Sequence, residues 1–118
     1  KNARRNLFLV LVLKDTANIM EPVMWDLFRL QSWSNFNFRL LIVDQGSRDD
    51  TLMILKSFQR QNDFSLISSP AGRHLIIMRK LKGNVRVVEL NSLDSSRSAR
   101  KKILAALHGS MLVGGRTA

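Results

Sequence analysis

Three polar groups in this sequence stand where apolar runs break off. Lys14-Asp15-Thr16 follows LFLVLVL, Asp44-Gln45-Gly46-Ser47 closes FRLLIVD, and Asn91 to Asp94 follows NVRVVEL. An ionised carboxylate only accepts hydrogen bonds, so Asp15 and Asp44 could each receive a donor N–H or hydroxyl at a site beyond the strand ends. Asp44 has a second reading, as a turn residue that bonds the amides of its own loop ahead of a helix. Gly46 belongs to no phosphate-loop pattern, since neither G-x-x-x-x-G-K nor G-x-G-x-x-G surrounds it. With no cysteine, and with His74 and His108 far apart, the chain has no thiolate nucleophile and no Cys- or His-based metal-ligand spacing.

The elements around these groups alternate. LFLVLVL and FRLLIVD are short continuous apolar runs, as expected of strands covered on both faces of a parallel sheet. Between them Ile19, Val23, Leu27 and Leu30 recur at helical spacing, with Pro22 near the start of that helix, where a missing N–H costs little. After Asp44, Leu52, Leu55 and Phe58 predict a second helix, capped by Ser47 with Asp50 reaching back. FSLIS suits a short strand, and PAGRHLIIMRKLKG a short helix between Pro70 and Gly83. NVRVVEL reads as another strand. The helix that follows carries Ala99, Ile103, Ala106 and Leu107 on one face, is capped by Asp94 or Ser95, and stops at Gly109; SMLVGG then forms a short terminal strand. The expected fold is a single α/β domain over 1–118, a three-layer, mostly parallel open sheet of Rossmann-like type. Ligands of such sheets bind beyond the carboxyl ends of the strands, where the three polar groups fall.

The chain of 118 residues has 19 Lys and Arg against 9 Asp and Glu, a net charge of +10. Such a surface attracts polyanions, including nucleic acid and nucleotide phosphates. Hydrophobic residues at 45% exclude a disordered chain. The basic start followed by Leu7 to Leu13 is too short for a membrane span and lacks a cleavage site, so no transmembrane segment is expected. Absence of cysteine fits a cytoplasmic location.

LLIVDQGSRDDTLMILKSF closely resembles the strand–turn–helix signature of family 2 glycosyltransferases, in which an apolar strand runs into Val-Asp-Asp-Gly-Ser, a Thr–Asp pair and a helix. LFLVLVLKDTANIMEPVMWDLFRL is similar to that family's first strand, turn and helix, and NSLDSSRSARKKILAALHGSMLV to its small, basic later helix. The resemblance implies a GT-A fold and a nucleotide-sugar donor of UDP type. It places Asp44 at the uracil or ribose and Asp15 near the base; Gln45 replaces the second aspartate, and Gly46 keeps its place.

The chain departs from the family pattern at the metal. The family's D-x-D motif follows the last strand of this half and holds Mg or Mn; with SMLVGG as that strand, its place is taken by Gly114, Gly115 and Arg116, and no acid occurs after Asp94. No cofactor is therefore expected. Arg97 and Arg116 are the candidates for direct phosphate binding. A catalytic base and the later Arg-Trp motif have no counterpart, so an isolated chain is expected not to transfer sugar. Two other readings follow from the same residues. One is a basic module for nucleic acid or another anionic partner, with Arg73, Arg79, Lys80 and Lys82 grouped in the middle. The other is one part of a split or multi-subunit enzyme that pairs with a protein partner or a second copy.

Overall fold

The computed structural model describes residues 7–33, 37–69, 79–81 and 83–117, with Trp33 and residues 109–117 described by backbone alone. Its elements are β1 (Leu7–Leu13), α1 (Ala17–Trp33), β2 (Phe38–Asp44), α2 (Thr51–Gln59), β3 (Ser65–Ser68), β4 (Asn84–Leu90) and α3 (Ser96–Thr117). The four strands form one sheet in the order β3-β2-β1-β4, every pairing parallel. The protein is thus an α/β fold of Rossmann-like layered type.

Side chains of a strand alternate between faces, and β1 is apolar on both. Leu9, Leu11 and Leu13 join Met20, Val23, Met24 and Leu27 of α1, Leu55 of α2, and Ala99, Ile103 and Leu107 of α3 in one buried cluster. Val10 and Val12 point the other way, into a smaller cluster with Leu41 and Val43, against which Ile67, Leu81 and Val85 are partly buried. A central strand covered on both faces explains why β1 shows no polar alternation.

The helices depart from their sequence signals at two points. Pro22 is the sixth residue of α1, so its missing N–H deprives the Asn18 carbonyl of a helical partner rather than falling among the free amides of the first turn. Asn18 is exposed, which leaves that carbonyl accessible to water. The second departure is larger. The helix expected to stop at Gly109 continues to Thr117, and SMLVGG is its last part, not a strand. Glycine inside a helix costs only about 1 kcal/mol, while each added residue gains a hydrogen bond once the helix is nucleated. A glycine stop of the usual kind places the glycine in the left-handed region, and among the described residues the positive-φ glycines are Gly46 and Gly83. FSLIS does provide β3 (Ser65–Ser68). Most of the helix expected between Pro70 and Gly83 lies outside the described residues.

One polar contact joins the helical layer. Asp26 of α1, almost buried, accepts from Arg29 at 2.8 Å and from Arg100 of α3 at 3.0 and 3.1 Å. Burial pulls its pKa up, but the hydrogen bonds and charges of Arg100 and Arg29 outweigh that and hold it below the ordinary 3.8. A depressed carboxyl pKa adds stability above the unfolded value and loses it as pH falls through the folded one. Both arginines are about half exposed, at 49% and 59%, so water and salt screen the pair. The expected contribution is about 1 kcal/mol. Urea midpoints at about pH 6 and about pH 3 should therefore fall further for the wild type than for Asp26→Asn. Equal falls would show that the ion pair adds nothing.

Among the described residues no helix is long and apolar enough to cross a membrane.

Candidate functional site

Register brings the strand ends level. Leu13 pairs with both Asp44 and Leu90, and Asp44 with Ser68, so the carboxyl ends of all four strands make one edge. The ladder extends one step into the loops, where Gln45 N–H donates to the Leu13 carbonyl at 2.9 Å and Ser69 N–H to that of Asp44 at 2.8 Å. The β1-to-β3 run moves outward in one direction and β4 returns to the far side of β1. The order of connection therefore reverses between β1 and β4, and a crevice at such a point is where open parallel sheets take ligands.

The loops after β1 and β2 are stitched together. Asp15 has φ 54°, a left-handed conformation that a short polar residue tolerates. Its N–H donates to Ser47 Oγ at 2.8 Å, and its Oδ1 accepts from the amides of Arg48 at 2.7 Å and Asp49 at 3.4 Å. Asp49 Oδ2 accepts from Ala17 N–H at 3.1 Å, and its Oδ1 from the amide and hydroxyl of Thr51. Thr51 Oγ1 in turn accepts from Thr16 N–H at 2.9 Å. One carboxylate thus serves the first turns of α1 and α2 together, where helix dipoles favour negative charge. Burial raises the Asp49 pKa, and the Thr51 and Ala17 hydrogen bonds more than reverse this, leaving it below 3.8.

Asp44 is 1% exposed. Its Oδ2 accepts from Ser47 N–H at 3.1 Å and its Oδ1 from the Ser47 hydroxyl. This is the turn reading of the residue, with the carboxylate holding its own loop. The cap expected from Ser47 and Asp50 does not form, because α2 begins only at Thr51 and its N-cap Asp50 makes no side-chain cap bond. Ser47 bridges Asp44 and Asp15 instead. Gln45 is half-buried, and Gly46 is exposed with φ 81°. A Cβ on Gly46 would meet nothing within 4 Å, so the positive φ rather than crowding favours glycine there.

The positions at which the resemblance expects D-x-D, 114–116, lie within α3 rather than after a strand; the loop that does follow a strand on this edge of the sheet is Asn91-Ser92-Leu93-Asp94. Asp94 is its only acid. Asp94 accepts from Asn91 N–H at 3.0 Å, from Ser98 Oγ at 2.7 Å and from the Lys102 ammonium, which also donates to the Glu89 carbonyl at 3.2 Å. Burial raises its pKa, but those donors prevail and lower it. A hard divalent cation needs several oxygens, and here a lysine already neutralises the one carboxylate. These residues do not fit Mg or Mn. Among the described residues no group of three acids or histidines could hold a metal.

Ser95 caps α3: its Oγ accepts from Ser98 N–H at 3.0 Å while Ser98 Oγ accepts from Ser95 N–H at 2.9 Å, a reciprocal box with serine in place of glutamate. Arg97, exposed in the first turn, remains on the carboxyl edge. Arg116 does not. Nineteen residues further along the same helix, it lies about 28 Å from Arg97 along the axis, too far to share a phosphate. Arg100 and Lys102 are occupied by Asp26 and Asp94.

No known protein family, curated protein or solved structure matches the chain.

Proposed function

We propose that this chain is a nucleotide-binding relative of the donor half of family 2 glycosyltransferases, one that keeps affinity for a uridine-type nucleotide but does not transfer sugar alone. The observation that carries this reading is the convergence of the loops bearing Asp15, Gly46 and Asn91 at a connection-reversal point of an all-parallel sheet. The resemblance of residues 40 to 55 adds the base preference.

In this reading Asp15 is the ligand contact and Asp44 the brace behind it. Asp15 Oδ1 holds loop amides, which leaves Oδ2 to accept from a base N–H or a ribose hydroxyl. Exposed Lys14 and Arg97 supply cations for phosphate without a metal. Asp44, Asp49 and Asp94 are spent on loop amides and neighbouring side chains, so they are poor candidates for the base that an acceptor hydroxyl requires.

The test is an amide NMR titration of the labelled chain with UDP and a UDP-sugar, with and without Mg or Mn. Expected are shifts at Asp15, Gly46 and Asn91 that are indifferent to metal. Asp15→Asn keeps one oxygen for the loop amides and tolerates the positive φ, so it should weaken binding about tenfold or more while leaving the fold intact. Absence of shifts at millimolar nucleotide would overturn the reading and return attention to the basic surface, where a low-salt gel shift tests nucleic acid.

A further inference from the structure

Away from the strand ends, α1 and α2 frame a shallow groove of about 340 Å³ whose lining includes Glu21, Trp25, Ser57, Phe58, Gln61 and Asn62. Glu21 and Trp25 are four apart on α1, Ser57 and Phe58 stand in the last turn of α2, and Gln61 and Asn62 lie in the turn beyond it, their backbone amides donating to the Phe58 carbonyl. Trp25 is 53% exposed. Its ring stands edge-to-face against Phe28 at 6.4 Å and 87°, and against Phe58 at 5.6 Å and 79°. Packing therefore fixes the indole while half of it faces water.

Apart from Trp25, Phe58 and Ile54, the lining is polar and largely uncommitted. The side chains of Glu21, Ser57 and Gln61 make no hydrogen bond among the described residues. Asn62 donates through Nδ2 to the Phe58 carbonyl at 3.0 Å, which leaves its Oδ1 as an acceptor. A fixed aromatic ring beside an amide, a hydroxyl and a carboxylate offers one apolar surface, both donors and acceptors, and a single charge.

That combination selects among ligands. A phosphate or nucleic acid would meet the Glu21 carboxylate with no cation in the groove. A cationic ligand is opposed by a chain of net charge +10. A purely aliphatic ligand would strand the polar groups without partners. A neutral polyol with an apolar C–H face satisfies all of them. We infer that the α1–α2 groove is a saccharide-binding site, in which the C–H face of a pyranose lies on Trp25 and its hydroxyls bond Gln61, Asn62, Ser57 and Glu21. The positively polarised C–H groups meet the negative face of the indole, and adjacent hydroxyls can donate to both carboxylate oxygens. The groove lies on the helical layer and its occupancy does not depend on the nucleotide reading.

The experiment is a titration of the labelled protein with neutral cello-, chito- and malto-oligosaccharides, following the Trp25 indole N–H and the amides of Gln61 and Asn62. Expected are saturable shifts there at millimolar sugar with none at Asp15 or Gly46. Trp25→Ala should weaken binding about tenfold, whereas Trp25→Phe restores much of it. Both variants change a half-exposed side chain, and unchanged far-ultraviolet circular dichroism would confirm that each folds. The inference fails if the folded wild type shows no shift with any of these sugars at tens of millimolar. It fails equally if the same signals respond to choline or a lysine peptide instead. It also fails if Trp25→Ala alters only self-association, which would make the indole a contact between copies.

Discussion

Replacing Leu11 with alanine is expected to lower the unfolding free energy by about 3–5 kcal/mol. Leu11 is 0% exposed and sits mid-strand, with Ile42 and Val88 as its register partners on either side. All three belong to the cluster that receives α1, α2 and α3. A cavity there cannot be filled by one helix moving, because three helices and two neighbouring strands constrain one another. For a chain of this size the midpoint of thermal unfolding should drop by about 10–20 °C. Leu11→Met preserves volume and should cost less than about 1.5 kcal/mol. Urea unfolding of both variants decides the matter. A loss under about 1 kcal/mol for Leu11→Ala would mean that the weight of the core lies elsewhere.

That hierarchy was largely legible in the residues. LFLVLVL and FRLLIVD can hardly be other than strands covered on both sides, because any one-sided strand of that composition would leave valines and leucines in water. The alternation of strands and helices then implied the parallel sheet. Strand order was not legible: that NVRVVEL lies beside β1 rather than at an edge beyond β2 is a tertiary outcome. The terminal strand failed for a local reason. Met-Leu-Val suits either element, and glycine stops a helix only if it turns left-handed.

The candidate site divides in the same way. Asp15 and Asp44 stood out because acids after apolar runs are conspicuous. The roles of Ser47 and Asp49 could not be assigned from sequence, since each bonds across more than 30 residues, Ser47 to the β1–α1 loop and Asp49 to the first residue of α1. The spacing of Ser47 and Asp50 looked like a capping box, and only the late start of α2 shows that Ser47 is engaged elsewhere. Asp49 had a weaker cue: two residues before Thr51, it has the spacing of an aspartate bonding its own backbone two residues on.

Asp44→Ala separates bracing from ligand contact. Removing a buried carboxylate that accepts both the amide and the hydroxyl of Ser47 should cost about 1–3 kcal/mol, because the Ser47 N–H loses its partner in a part-buried turn. The effect should travel. Ser47 Oγ, once free of Asp44, no longer has a fixed position from which to accept the Asp15 amide, and Asp15 in turn holds Arg48. Hydrogen exchange at Asp15, Ser47 and Arg48 should therefore accelerate together, while amides in the middle of β1 change only with global stability. Asp44→Asn keeps one acceptor oxygen, and the Ser47 hydroxyl can turn to accept from the new amide, so its cost should be about 1 kcal/mol. Nucleotide affinity should fall in Asp44→Ala in proportion to the loosening of Asp15. The opposite pattern, unchanged exchange and stability with nucleotide binding lost, would place Asp44 itself at the base and reverse the roles given to the two aspartates.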